Sequence, residues 1–321
     1  MSVRRVAIIG LGLLGGSIGL AVQRHLPGVA TAGYDDDPAV RRRAAERALA
    51  ETIHDSAADA VRGADLVILC VPVGAMEAAA REIVDALEPD AIVSDVGSSK
   101  QTVAEALSKV LEGHCVIPAH PVAGTEDSGP DAGFATLFHH RWCIVTPPAG
   151  ADPAQVARLV DFWEALGALV ETMDPLHHDL VLAVTSHIPH LIAYTIVGTA
   201  SDLEQVTRSE VIKFSAGGFR DFTRIAASDP TMWRDVFLHN RAAVLEMLDR
   251  FLTDLALMRE AIQAGDGATM FELFSRTRSI RRSIVAFGQD DARPDFGRKD
   301  HVAGEEDAAP EAGAVRPGCG D

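Results

Sequence analysis

Positive charge is scarce in this chain: 29 Lys and Arg stand against 46 Asp and Glu over 321 residues, a formal net charge of -17. Binding a phosphate backbone needs a basic face, so a nucleic acid is excluded as partner. Cysteine is also sparse, and Cys70, Cys115, Cys143 and Cys319 lie too far apart for metal-ligand spacing or a disulfide framework, as expected in a reducing cytosol. An uninterrupted apolar run is missing at the start. Arg4 and Arg5 precede an apolar stretch in the manner of an export signal, but Gly10, Gly12 and Gly15 break it, so neither export nor membrane insertion is expected. Beyond residue 175 strand signals all but vanish, which excludes a sheet running the length of the chain. What is present is 47% hydrophobic residues and length enough for two cores.

The first apolar run, Val6-Ala7-Ile8-Ile9, ends in Gly10-Leu11-Gly12-Leu13-Leu14-Gly15 and opens into a helical stretch beginning Gly16-Ser17-Ile18-Gly19. In a strand, glycine loop, helix unit, the first glycine permits the tight turn, the second admits a pyrophosphate and the third lets helix and strand pack closely. The phosphates then meet the positive end of the helix. A second strand, Val29–Tyr34, ends at Asp35, where an acid can hydrogen-bond an adenosine ribose. The following Asp36 and Asp37 read as caps of a helix starting at Pro38. The acidic cluster disfavours a 2′-phosphate, so the expected cofactor is NAD over NADP. The candidate cofactor-contacting positions are Gly10, Gly12, Leu13, Leu14, Gly15, Asp35, Val71 and Pro72.

Strand-like segments at 64–72, 91–96, 115–117, 142–146 and 168–171 alternate with helical ones, which predicts an α/β fold with a doubly wound parallel sheet. Long helical patterns follow Asp174-Pro175, including 238–262 and 270–287. The expected organisation is a dinucleotide-binding domain over 1–173, an all-α domain over 174–287 and an unordered acidic tail over 288–321.

Four further stretches carry chemistry. His120-Pro121-Val122-Ala123-Gly124-Thr125-Glu126 places a histidine where it can take a proton as hydride leaves a neighbouring carbon. Ser186-His187-Ile188-Pro189-His190 sets two histidines three apart with no third ligand nearby, so a metal is not expected; one ring is predicted to pack internally and the other to reach a polar pocket. The stretch Lys213 to Arg224 joins Gly217-Gly218 to aromatics and cations, and is read as a binding loop whose arginine can grip a carboxylate. Ser228-Asp229-Pro230 reads as a capped helix start that leaves Trp233 unexplained.

Taken together, the glycine loop, Asp95-Val96-Gly97-Ser98-Ser99-Lys100 and these four stretches resemble the prephenate and arogenate dehydrogenase family of tyrosine biosynthesis, from the first strand to about residue 285. The resemblance implies a Rossmann-type domain followed by a helical dimerisation domain, a homodimer of interlocking helices, and a cytoplasmic enzyme without an appended mutase or regulatory domain. It implies NAD-dependent oxidative decarboxylation of a cyclohexadienol to a phenol, giving 4-hydroxyphenylpyruvate from prephenate or tyrosine from arogenate. His120 then matches the proton acceptor and Ser98 the serine bridging it to the nicotinamide, although Ser98 also suits a helix N-cap. Arg224 matches the arginine for a substrate carboxylate, His190 and Ser186 match pocket positions, and Glu126 matches the entrance. Gly217, Asp221 and Trp233 match residues supplied near the pocket by the partner subunit. Two other readings stand beside this one: a β-hydroxyacid-type dehydrogenase, for which Lys213 is the candidate lysine, and an NAD-binding sensor without activity.

Overall fold

Strand β1 (Arg5–Ile9) sends Val6 and Ile8 into one apolar cluster and Ala7 and Ile9 into another. With a side-chain period of two, that split is the mark of a strand covered on both faces. The computed structural model describes residues 3–125, 127–207 and 216–286. In it, β1 leads through α1 (Leu13–His25) to β2 (Ala30–Tyr34), then through α2 (Pro38–Glu46) to β3 (Thr52–Ile53). After α3 (Ala57–Val61) come β4 (Leu66–Leu69), α4 (Met76–Ile83), β5 (Ile92–Asp95), α5 (Gln101–Val110) and β6 (Cys115–Val116). These six strands form one parallel sheet in the order β3-β2-β1-β4-β5-β6. The chain reverses its direction of travel across the sheet at β1, so a crevice opens between the loops that follow β1 and β4.

The later strands do not extend this sheet. The parallel ladder ends where Ile117 N–H reaches the Val93 carbonyl; at the next residue the Pro118 carbonyl accepts the Thr146 N–H at 2.9 Å, a donor from outside the six strands. Strands β7 (Ala119–Pro121), β8 (Trp142–Val145) and β9 (Leu169–Thr172) form a separate sheet, with β7 antiparallel to β8 and β8 parallel to β9. A reading by apolar runs alone merges the two sheets. Pro121 is tolerated because β7 is an edge strand, and α6 (Pro153–Ala165) packs Phe162 and Trp163 beneath.

From Asp174, which caps the next helix through the Leu176 and His177 N–H groups, the described structure is helical. Helix α7 (Pro175–Leu182) passes through a π-helical turn, Ala183–His187, into α8 (Ile188–Thr207). The wider turn lets the helix continue past Pro189, and such turns gather at functional sites. Then follow α9 (Gly217–Thr223), α10 (Pro230–His239), α11 (Arg241–Ala264) and α12 (Gly267–Ala286). Asp229 caps α10 at Met232 N–H, 2.8 Å away, with Pro230 in its first turn, as the sequence implies. The glycine pair differs from expectation: Gly217 and Gly218 begin α9 rather than form a loop. The first turn of a helix has no internal partners for its N–H groups, so glycine costs little there. The chain divides into two compact units, Met1–Leu257 and Met258–Asp321. Glu126, Lys213 and the tail over 288–321 lie outside the described residues.

Candidate active site

The crevice begins at Gly10, whose φ of +100° favours glycine and where a Cβ would lie 2.5 Å from the Cys70 carbonyl oxygen. At Gly15 a Cβ would lie 1.9 Å from the Gly10 carbonyl oxygen, whereas at Gly12 it would meet nothing within 4 Å. The loop is thus closed where helix and strand touch and open over Gly12. Helix α1 has neither a side-chain cap nor an acid in its first turn, which leaves its positive end to an anion. Asp35 at the end of β2 accepts the Leu11 N–H at 2.8 Å and the Asp37 N–H at 3.1 Å. Burial nevertheless pushes its carboxyl above the ordinary range. A hydroxyl pair donating to that carboxylate answers the desolvation, and a phosphate does not. Asp37 caps α2, and Val71 and Pro72 follow β4 on the far side of the crevice. These residues fit a dinucleotide with an unphosphorylated ribose.

His120 sits on β7, paired in register with Ile144, and is almost fully buried. Its Nδ1 lies 2.9 Å from His178 Nε2, and His178 Nδ1 lies 2.9 Å from Asp179 Oδ1. Asp179 also accepts Lys100 N–H at 2.7 Å and Gln101 N–H at 3.0 Å, so a carboxylate from α7 caps α5. The N-cap of α5 is Lys100, which corrects the expectation that Ser98 caps this helix. The side chain of Lys100 is fully buried, bonding Asp95 Oδ2 and, at 2.8 Å, the Ala119 carbonyl beside His120. Burial, His178, Lys100 and His187 together hold the His120 imidazole well below its usual pKa. It is a neutral base at neutral pH.

His187 and His190 divide as the sequence implies. His187 is fully buried; Asn240 Nδ2 donates to its Nδ1 at 3.1 Å and to the Asp179 carbonyl at 2.8 Å. Its Nε2 makes no hydrogen bond, the Ser98 main chain faces its ring, and burial lowers its pKa to about 4. His190 is partly buried and donates Nδ1–H to the Ser186 carbonyl at 2.9 Å, which turns Nε2 into an acceptor. Burial lowers its pKa and the nearby Arg224 guanidinium lowers it further. Trp233 stacks on His190 with ring centroids 3.6 Å apart. That stack joins two residues of one chain. Gly217 and Asp221 lie on α9, and Asp221 pairs with Arg220 at 3.0 Å.

The structure therefore gathers His120, the Ser98 main chain, His187, His190, Arg224 and Trp233 into one chain of neighbours. Sequence reasoning named Asp95 and Lys100 without giving either a role, and passed over His178, Asp179 and Asn240. A histidine and an acid in the first turns of an apolar helix were the available signal.

A parallel sheet in this strand order, a glycine loop and a buried neutral histidine, followed by a helical half, fit a dinucleotide-dependent oxidoreductase. The comparison with known proteins is more specific. The nucleotide-binding domain of prephenate dehydrogenase matches residues 18–172 and its dimerization domain matches residues 174–276. The chain belongs to the prephenate dehydrogenase family. It is 44% identical to the cyclohexadienyl dehydrogenase of Zymomonas mobilis over 88% of this chain and 96% of that protein. It is 34% identical to the prephenate dehydrogenase of Bacillus subtilis over 87% of this chain and 76% of that one. The crystal structure of the A. aeolicus prephenate dehydrogenase, in complex with hydroxyphenyl propionate and NAD+, superposes with a TM-score of 0.83 at 32% identity, covering 88% and 99% of the two chains.

Proposed function

We propose that this protein catalyses the NAD-dependent oxidative decarboxylation of prephenate, arogenate or both, with His120 as proton acceptor. The observation that carries the reading is the convergence of His120, His187, His190 and Arg224, drawn from three distant motifs, into one electrostatically coupled cluster. NAD, when bound in the Gly10–Gly15 cradle with Asp35 on its ribose, supplies the hydride acceptor. Everything else falls to side chains. Arg224 and His190 receive the carboxylate-bearing substrate against the face of Trp233, with Ser186, Gly217 and Asp221 around the pocket. A cationic site is needed because the net charge of -17 opposes an anionic ligand. His120 Nε2 accepts the ring hydroxyl proton while Ser98 orients the reacting groups. The dienone so formed loses its ring carboxylate as carbon dioxide and becomes aromatic, which makes the step irreversible.

The division into domains at residue 173 and a cytosolic homodimer belong to the same reading. Leu245, Leu252, Leu255 and Leu257 stand exposed along α11, and Val184, Ile196 and Val197 along the preceding helices, an apolar surface that a second copy would cover. One stretch, Pro175–Asp202, is long and apolar enough to cross a membrane by length and composition. The buried His178 and Asp179 within it, satisfied by protein partners, support a protein interior instead. The test is NADH formation by the purified protein with prephenate and with arogenate, each repeated with NADP. Similar rates with both substrates mean a broad cyclohexadienyl dehydrogenase; no reduction with either overturns the reading.

A further inference from the structure

Three elements meet at His120, and two of the residues they bring, His178 and Asp179, belong to no motif used so far. Strand β7 supplies His120, α7 supplies His178 and Asp179, and the start of α5 supplies two main-chain N–H donors. Hydrogen-bond bookkeeping along this line has one solution. Asp179, as a carboxylate receiving Lys100 N–H and Gln101 N–H, only accepts, so the proton between it and His178 rides on His178 Nδ1. Neutral His178 then presents a lone pair at Nε2, which requires the proton in the next bond to ride on His120 Nδ1. His120 Nε2 is left with a free lone pair, and no hydrogen bond is made to it among the described residues.

We propose that His178 and Asp179 are positioning residues that lock His120 in the Nδ1–H tautomer, the form in which Nε2 can act as a base. The proposal rests on the reading of His120 as proton acceptor. Burial is what gives the lock its force: His178 is fully buried and Asp179 nearly so, so no water can substitute for a mismatched partner. The charged or titratable groups around the two rings are Lys100, Asp95, Asp179, Cys143 and His187. Of these only Asp179 accepts from His178, so the direction of the chain is set at the helix cap and carried outward.

Substitution separates a lock from simple packing. Asp179→Leu removes the acceptor, so His178, and through it His120, is free to carry its proton on either nitrogen. His178→Gln keeps the order, because its amide can donate to Asp179 and accept from His120, while His178→Leu fills the space and carries nothing. Long-range nitrogen-proton NMR of the histidine rings in the protein without cofactor, with His120 assigned by its loss in His120→Asn, reads the tautomer without turnover. We expect Nδ1–H at His120 in the wild type and in His178→Gln, and a mixture of both tautomers in Asp179→Leu. The kcat should fall about 10²- to 10⁴-fold in His178→Leu at near-constant KM, the range of a wrong tautomer in a catalytic triad, and less than about 10-fold in His178→Gln. Nε2–H in the wild type, a single Nδ1–H tautomer in folded Asp179→Leu, or equal kcat in the Leu and Gln variants of His178 would each overturn the lock. If Asp179→Leu does not fold, the wild-type spectrum and the His178 pair decide. Retained turnover in His120→Asn together with the expected spectra would sink the base assignment and leave the lock standing.

Discussion

Acidification should unfold this protein in part through a single ring, His187. The ring is fully buried, and its burial lowers the pKa from 6.5 to about 4. The unfolded chain therefore takes up this proton first as pH falls. The stability contributed by the neutral buried ring is complete above 6.5 and is lost as pH falls from there towards 4. At 1.36 kcal/mol per pKa unit, the loss is about 2 kcal/mol by pH 5 and about 3 kcal/mol by pH 4. His187→Gln removes the titrating group while its amide oxygen can still receive Asn240 Nδ2. Urea unfolding at about pH 7.5 and pH 5, at one fixed protein concentration, isolates the effect, because every other titrating group is common to both proteins. The wild type should lose about 2 kcal/mol more than the variant between the two conditions. A difference below about 0.5 kcal/mol would show that the ring is not a buried neutral group, and the packing described around Asn240 would be wrong.

His120→Asn should lower kcat about 10²- to 10⁴-fold with little change in substrate binding, as steady-state kinetics will show. Arg224→Ala should chiefly raise KM, by about 10- to 100-fold for one charge-assisted carboxylate contact, and a fall in kcat alone would contradict its role as a binding group. Gly15→Ala should abolish NAD binding or destabilise the fold, since its Cβ would stand 1.9 Å from the Gly10 carbonyl oxygen; cofactor titration by fluorescence with a parallel thermal melt checks it. Asp35→Ala should narrow the preference for NAD over NADP, measured as the ratio of kcat/KM values, because the acid that disfavours a 2′-phosphate is gone.

Much of this was legible in the chain because the signals were local. The glycine spacing, the acid closing β2 and the aspartates that cap α2, α7 and α10 each act within a few residues, where sterics and N–H geometry leave little choice. The second sheet was not legible. Its strands have the same apolar character as those of the first, and the break shows only in the partner that Pro118 finds, Thr146, 28 positions further on. The glycine pair at 217 and 218 misled for the opposite reason: glycine marks a turn in isolation, yet in the first turn of a helix its penalty is small. His178, Asp179 and Asn240 were invisible because their partners lie 58, 79 and 61 positions away.

Those distant partners also explain why the site needs both halves of the chain. The sheet alone delivers His120 with a ring that could carry its proton on either nitrogen, and the helices alone deliver a buried histidine and acid with nothing to orient. Asp179 closes the circuit: one carboxylate ends α5 in place of a local cap, and the same carboxylate fixes His178. Its own carbonyl receives Asn240, which in turn orients His187 against the Ser98 main chain. A displacement of α7 relative to α5 would therefore uncap a helix, free two rings and loosen the segment carrying Ser98 together. The cost of breaking several buried hydrogen bonds at once, each about 1–3 kcal/mol for the group left unpaired, holds the helical half in register with the sheet. His120 and the His187–His190 pair are thus aligned by the same contacts that join the two halves.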